Sequence, residues 1–379
     1  MTTAITPPAT IGVVGGGLLA RHLVMAANSM GYRTAVLDPD PGAPAGSMAD
    51  LHIVAPYDDP DALERLGDTC AVVTTGCDHV PSTALEHLER RAPVRPSPSV
   101  VAVCEDRIAE KRFLESIGVP VAPWQPITTL AELHAVAESH FPAVLTTARP
   151  GGDGASPASC DHHDDAEVAW RRFGEVPCVL ERRLTVDRHL SVVLARSTAG
   201  EITCHPVAED RHVNGVLDST AVPADLPGDG HQQAAELCGY IAERLDIVGV
   251  LAVTMLVVGN DVHVDRLAPR PHEAGRYTLD ACATSQFEQH VRAVCGLGLG
   301  DPTLLVASAA TVNLLGELRV LGEPDWSAVL ADQSAHLHLG TTSETRTGHT
   351  IGHLTVTSAS GAGTLARRLR QQAASAHQR

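Results

Sequence analysis

The sequence predicts an α/β protein: a parallel, Rossmann-like unit first, a mixed α+β region next and a small β-rich unit last. Three observations predict it. A strand, a glycine turn, an amphipathic helix and a second strand succeed one another between Ala9 and Asp38, which is a βαβ unit. Helical periodicity and short apolar runs then alternate with frequent turns. After residue 300 the chain is strand-rich and closes on one helix, "GTLARRLRQQAASA".

Taken in order, Gly15-Gly16-Gly17 turns the backbone at a helix N-terminus, where free N–H groups favour anions. Ala20 stands where the strict dinucleotide spacing wants a third glycine, so a plain doubly wound turn is expected. "CAVVTTGCDHVPSTALEHLE" gives a strand, a loop with Asp78 and His79, and a helix. "RPSPSVVAVCEDRIAEKRFLESIGVPVAPW" reads as a proline-rich linker and one helix ending at Gly118, with a domain boundary near 100–106. "FPAVLTTARPGGDGASPASCDHHDDAEV" is a strand, a glycine loop and an acidic, His-rich turn. Adjacent residues rarely converge on one ion, so Cys160 to Asp165 reads as a solvated turn rather than a metal cluster. "PCVLERRLTVDRHLSVVLARS" holds two strands separated by a charged bend. His231 to Pro271 holds a helix and two long strands, and "SQFEQHVRAVCGLGLG" is a helix.

The formal charge of −17 argues against nucleic acid and anionic membranes as partners. The longest apolar run, Ile247 to Val258, is too short to span a bilayer. No charged-then-apolar leader opens the chain, and nine cysteines without CxxC spacing fit reduced thiols, so a cytoplasmic protein is expected. Lys111 is the single lysine; the other basic residues are arginines, a bias of codon type.

Charge is concentrated in "VDRLAPRPHEAGRYT", Val264 to Thr278, where Arg266, Arg270, His272, Glu273 and Arg276 lie close together. Such a loop after a strand faces a ligand. Arginine supplies bidentate anion recognition, and a histidine can move a proton near neutral pH. Strand alternation puts Val264 and Arg266 on one face and Asp265 on the other.

With its continuation "LDACATSQFEQHVRAV", this stretch resembles the ATP-grasp carboxyaminoimidazole ribonucleotide synthetase family. Members carry an Asn-Glu-Leu-Ala-Pro-Arg-x-His-Asn-Ser-Gly-His-type run and a Ser-Gln-Phe-Glu helix. "VVGGGLLARHL", "EDRIAEKRFLESIGVPVAPW" and "HLHLGTTSETRTGHTIGHLTVT" resemble the family's opening turn, linker helix and C-terminal hairpin. The resemblance implies a biotin-carboxylase-like architecture: a Rossmann-like pre-ATP-grasp domain over 1–105, a split ATP-grasp domain over 106–300 with a lid at 120–195, and a β-rich domain over 301–379. It implies a homodimer, and carboxylation of aminoimidazole ribonucleotide with ATP, magnesium and bicarbonate.

Several positions depart from the family pattern. The two magnesium carboxylates become Thr254 and Arg266, and two phosphate-reaching basic residues become Thr146 and Ala155. A nucleotide-binding glutamate becomes His189, while the hinge glutamate persists as Glu181. The Arg-Lys pair of the hairpin becomes His349-Thr350, and a pocket glutamate shortens to Asp78. A codon bias turns lysine into arginine, not into threonine or alanine. On these grounds the expected function is ATP-independent acid/base chemistry on a small anionic metabolite: decarboxylation, cyclisation, isomerisation or hydrolysis, in a specialised pathway. The alternatives are a working ATP-dependent synthase or related carboxylate–amine ligase, and a non-catalytic binding or regulatory protein. The first reading gives catalysis to His272, Arg270, Arg266 and Glu273. It gives substrate binding to Asp78, Asp153, Gly154, Arg276, His353, Gly15 and Gly17. Glu181 and His189 remain as a vestigial cofactor site, with no metal and no cofactor expected. ATP and magnesium belong to the ligase alternative.

Overall fold

A computed structural model describes residues 3–149, 156–320, 322–340, 349–358 and 360–375. The first unit is β1 (Thr10–Val14), α1 (Leu18–Ser29), β2 (Arg33–Leu37), β3 (Leu51–Ile53), α2 (Pro60–Thr69), β4 (Val72–Thr75) and α3 (Ser82–Glu89). Its strands form one parallel sheet in the order β3-β2-β1-β4. Parallel strands covered by helices are apolar throughout, and Val13, Val14, Ala35, Val36, Leu37, Val72 and Val73 are all fully buried.

Where a linker and a helix ending at Gly118 were expected there are two helices, α4 (Pro98–Cys104) and α5 (Arg107–Ser116). Asp106 makes the break. Its backbone is extended, and its carboxylate accepts the N–H groups of Ile108 at 2.9 Å and Ala109 at 3.2 Å, which caps α5.

A small antiparallel sheet follows, ordered β5-β8-β6-β7, with β5 (Trp124–Ile127), α6 (Leu130–Ala135), β6 (Ala143–Thr147), β7 (Ala158–Cys160), α7 (His163–Arg172) and β8 (Cys178–Arg182). The acidic, His-rich run opens α7: Asp165 accepts the N–H groups of Asp161 at 2.9 Å and His162 at 3.1 Å. The central sheet is antiparallel and carries β9 (Arg188–Arg196), β10 (Ile202–Cys204), β11 (Ala208–Val213), β12 (Val216–Val222), α8 (Gly230–Leu245), β13 (Gly249–Val258), β14 (Asp261–Ala268), α9 (Thr278–Ala281) and α10 (Gln286–Val294). The last part, β15 (Ser308–Leu315), α11 (Ser327–Ala331), β16 (Ala335–Leu339), β17 (Thr350–Ser358) and α12 (Ala362–Ser375), continues the same sheet through β12 and β15. Among the described residues no helix is long and apolar enough to cross a membrane, and the nine cysteines are free.

Simple alternation fails where β13 meets β14. The register of β13 and β14 shifts between Thr254 and Met255, so Thr254 pairs with Arg266 and Met255 with Val264, and Asp265 is passed over. Val264 therefore stays in the core while Arg266 leaves it, although the period of two put them on one face.

Candidate active site

Two adjoining cavities open at the C-terminal ends of the first sheet. The larger, of about 590 Å³, lies between the small sheet and β9, β11, β13 and β14. The smaller, of about 390 Å³, lies between the Gly17 turn and the loop after β14. Cys77, Asp78, His79, Arg270 and Glu273 border both.

The loop after β14 is held from below. Gln286, wholly buried at the start of α10, accepts the His272 N–H at 2.9 Å and donates to the His272 carbonyl at 2.8 Å. Gly275 must be glycine, because a Cβ there would lie 2.5 Å from Gln286 Oε1. Arg270 is buried and donates from Nε to Asp78 Oδ1 at 2.6 Å and from Nη2 to Oδ2, a bidentate pair across two units of the chain. Burial works to raise the Asp78 carboxyl, but the Arg270 guanidinium outweighs it and holds the group well below the carboxylate range. Arg276, 1% exposed, donates to Asn313 at 2.7 Å and Glu273 at 2.8 Å. Burial also opposes ionisation of Glu273, yet Arg276 keeps its carboxyl low. The His272 imidazole falls to about 4 through burial and then the Arg270 charge. Its Nδ1 accepts the Ala274 N–H at 3.2 Å.

The Gly15–Gly17 turn is shaped by close packing. Gly15 has φ of +94°, and a Cβ there would lie 2.6 Å from Cys77 Sγ. Asp38, at the end of β2, is engaged by Gly16 N–H at 2.6 Å and by the Tyr57 hydroxyl at 2.8 Å. Gly17 lines the smaller cavity.

The larger cavity has a buried charge cluster beneath it. Lys111, the single lysine, is wholly buried on α5 and pairs with Glu181 at 2.6 Å. Arg107 reaches the other Glu181 oxygen at 2.6 Å, Glu110 at 2.9 Å and the Asp265 carbonyl at 2.8 Å. Glu110 accepts the Leu267 N–H at 2.5 Å. Both Glu181 oxygens are thus held by cations, and the cluster ties the small sheet to α5 and β14. Sequence reading missed Lys111, Arg107, Glu110 and Gln286. The signal for Lys111 was available, since a lysine kept in an arginine-biased chain marks a site where a slim ammonium is needed.

His189 and His212 also line this cavity, their ring centroids 4.8 Å apart. Thr146 lines it as well. Arg266 is exposed into it and makes no hydrogen bond or ion pair among the described residues. Its partner across the strands, Thr254, has a buried Oγ1 without a hydrogen bond. Asp153, Gly154 and Ala155 lie outside the described residues. His353 is not at either cavity; it is 1% exposed and packed against His22 and His338.

Magnesium, which the family resemblance implies, does not fit the Thr254–Arg266 pair. A hard cation needs carboxylate or carbonyl oxygens, and this pair offers a hydroxyl and a guanidinium. The carboxylates that line the cavity are engaged: Asp78 by Arg270, Glu273 by Arg276, Asp210 by Thr220, Asp265 by Arg107 and Glu105 by Ser82 and Arg149. A phosphate-bearing ligand does fit, because an unpaired guanidinium is exposed in the cavity wall.

A ribonucleotide synthetase preATP-grasp domain matches residues 8–105 and an ATP-grasp domain matches residues 112–287. The N5-carboxyaminoimidazole ribonucleotide synthase of Bacillus subtilis is 38% identical over 353 residues, 93% of this chain and 92% of that protein. A solved ADP complex of an N5-carboxyaminoimidazole ribonucleotide synthetase is 35% identical with a TM-score of 0.89, covering 100% of this chain and 98% of that one. The synthase from Aspergillus clavatus, solved with ADP and 5-aminoimidazole ribonucleotide, is 27% identical with a TM-score of 0.86 and 96% of each chain covered. These findings overturn two expectations. Relatives matched along nearly their whole length are named as synthases and hold adenine nucleotide, so the ATP-independent reading and the absence of any cofactor both give way to the ligase alternative. The departures at Thr254, Arg266 and Thr146 misled because each was weighed as a lost function, against a likeness that runs along 93% of the chain. The chain belongs to the N5-carboxyaminoimidazole ribonucleotide synthase family of ATP-grasp proteins.

Proposed function

We propose that the chain is an ATP-dependent carbon–nitrogen ligase that carboxylates aminoimidazole ribonucleotide with bicarbonate. The observation that carries it is the 38% identity to a synthase over 93% of this chain. The two adjoining cavities suit two substrates that meet at a shared border. The nucleotide takes the larger, with its phosphates toward Arg266. The ribonucleotide takes the smaller, between the Gly17 turn and Arg276. No step is routed through a metal at Thr254 and Arg266.

His272 has a donor's part in this reading. Its imidazole is neutral and its Nδ1 accepts a backbone N–H, so the ring proton sits on Nε2 and that atom donates. The Arg270–Asp78 pair anchors the loop rather than gripping substrate with the whole guanidinium.

The test is release of ADP and phosphate by the purified chain with ATP, bicarbonate and aminoimidazole ribonucleotide, in magnesium-containing buffer. Turnover that needs all three substrates supports the reading. Nucleotide left intact with every substrate present refutes it.

A further inference from the structure

Three histidines from two ends of the chain meet in the interior, and none of them lines either cavity. His22 comes from α1, in the parallel unit. His338 and His353 are direct cross-strand neighbours on β16 and β17, with stacked rings 4.4 Å between centroids. The His22 ring lies 5.6 Å from His338 and 5.5 Å from His353, edge-on to both. One ring nitrogen of each falls within 4.8 Å of the other two. His22 is 6% exposed and His353 1%, and Nε2 of His353 has no hydrogen-bond partner. A buried ring nitrogen without a partner is costly, so it marks a place where a ligand belongs.

A carboxylate stands beside the cluster. Both oxygens of Asp280 lie 3.0 Å from His338 Nε2, and Asp280 is 3.8 Å from His336 Nδ1. With its proton on Nε2 toward Asp280, His338 keeps an Nδ1 lone pair for a further partner. A carboxylate that fixes the tautomer of an imidazole is the usual support of a metal-bound histidine. Both His22 and His353 are buried, and burial favours the neutral imidazole with a lone pair available. Arg276 and Arg21 add positive charge nearby and oppose a cation; Asp280 offsets them.

We propose that His22, His338 and His353 form a structural site for one divalent transition-metal ion, zinc in the first place. Three neutral imidazoles suit zinc and its neighbours and do not suit magnesium or calcium, which take oxygen ligands. Zinc–nitrogen bonds of about 2.0–2.1 Å place nitrogens roughly 3.3 Å apart in a tetrahedron, so the rings must rotate inward from their present spread. The site would clamp α1 to the β16–β17 pair, a junction already held by the Arg21 guanidinium on the Leu339 carbonyl at 2.7 Å. His338, with 26% of its side chain exposed, is the point of entry.

The experiment is zinc titration of full-length protein stripped with chelator, read by calorimetry and by elemental analysis after desalting. Wild type takes up one zinc per chain and melts at a higher temperature once loaded. His22→Phe keeps a ring against Phe287 but removes the nitrogens, and it loses the bound zinc while its apo melting temperature stays near that of wild type. Asp280→Asn retains one equivalent with an affinity lower by about 10–100-fold. Magnesium chloride alone gives no binding heat at this site. Wild type without stoichiometric zinc, or a His22→Phe variant that binds as wild type does, overturns the proposal.

Discussion

Thr254 and Arg266 stand opposite each other across β13 and β14, and the Thr254 hydroxyl and the Arg266 guanidinium each lack a partner among the described residues. A cation fixed in the wall of the cavity proposed for the nucleotide attracts phosphate and repels a metal ion. Arg266→Ala is therefore expected to weaken ADP binding by roughly 10–100-fold, the worth of a hydrogen bond to a charged group at about 1.5–3 kcal/mol. Calorimetry at fixed salt measures it. The chain should stay folded, since the side chain is open to the cavity. Unchanged affinity would move the phosphates elsewhere.

The cluster under the cavity predicts a different kind of effect. Lys111 is wholly buried against Glu181, which Arg107 also holds. Burial alone would raise the Glu181 carboxyl, and the two cations bring it below its ordinary value. Lys111→Met removes one cation and leaves Arg107 as the remaining cation on Glu181. Breaking a buried ion pair costs about 3–5 kcal/mol. Urea unfolding should show a loss of that order; a change below about 1 kcal/mol would mean the lysine is not structural.

Gln286 offers a separable test of the loop. Gln286→Leu keeps the volume and deletes both hydrogen bonds to His272. Adenine nucleotide binding should survive, because Gln286 touches the loop and not the larger cavity. Turnover should fall by at least tenfold, equivalent to about 1.4 kcal/mol, through a misplaced Nε2–H. Equal losses in nucleotide affinity and turnover would instead indicate general unfolding.

The sequence showed the βαβ unit from Ala9 to Asp38 and the strand–loop run at Val264 to Thr278 because hydrophobic period and glycine position are local signals. It hid the α4–α5 break, where one aspartate competes with helical periodicity and wins by capping. It hid the bulge at Asp265, because a register shift depends on the partner strand. Arg270 and Asp78 were both picked out, but their pairing across 192 residues was not. His22, His338 and His353 share no local pattern, so only folding brings them together. The greatest error was functional. Substitution of individual residues was legible in the chain, whereas the likeness to synthases along nearly the whole chain outweighs it.

Asp210, a carboxyl on β11, borders the larger cavity and is 6% exposed. Burial pushes it up to about 6, and the Thr220 hydroxyl at 2.7 Å pulls it back only in part. An unfolded aspartate titrates near about 3.9, so between pH 4 and pH 6, roughly, the folded protein binds more protons than the unfolded chain. Stability contributed by this group is present in acid and falls as pH rises through that window. At neutral pH the charged, buried carboxylate costs about 2–3 kcal/mol, because its proton affinity is roughly a hundredfold higher in the folded chain and each tenfold is about 1.4 kcal/mol. Asp210→Asn keeps an oxygen for the Thr220 hydroxyl and removes the charge. The variant should be more stable than wild type by that order at pH 7.5, and the difference should vanish near pH 4. His205, lowered to about 4 by burial, acts in the opposite direction in both proteins and cancels in the comparison. Paired urea titrations at the two pH values decide it: a variant less stable than wild type at pH 7.5 would show that the Asp210 charge is matched by a cation in the native state.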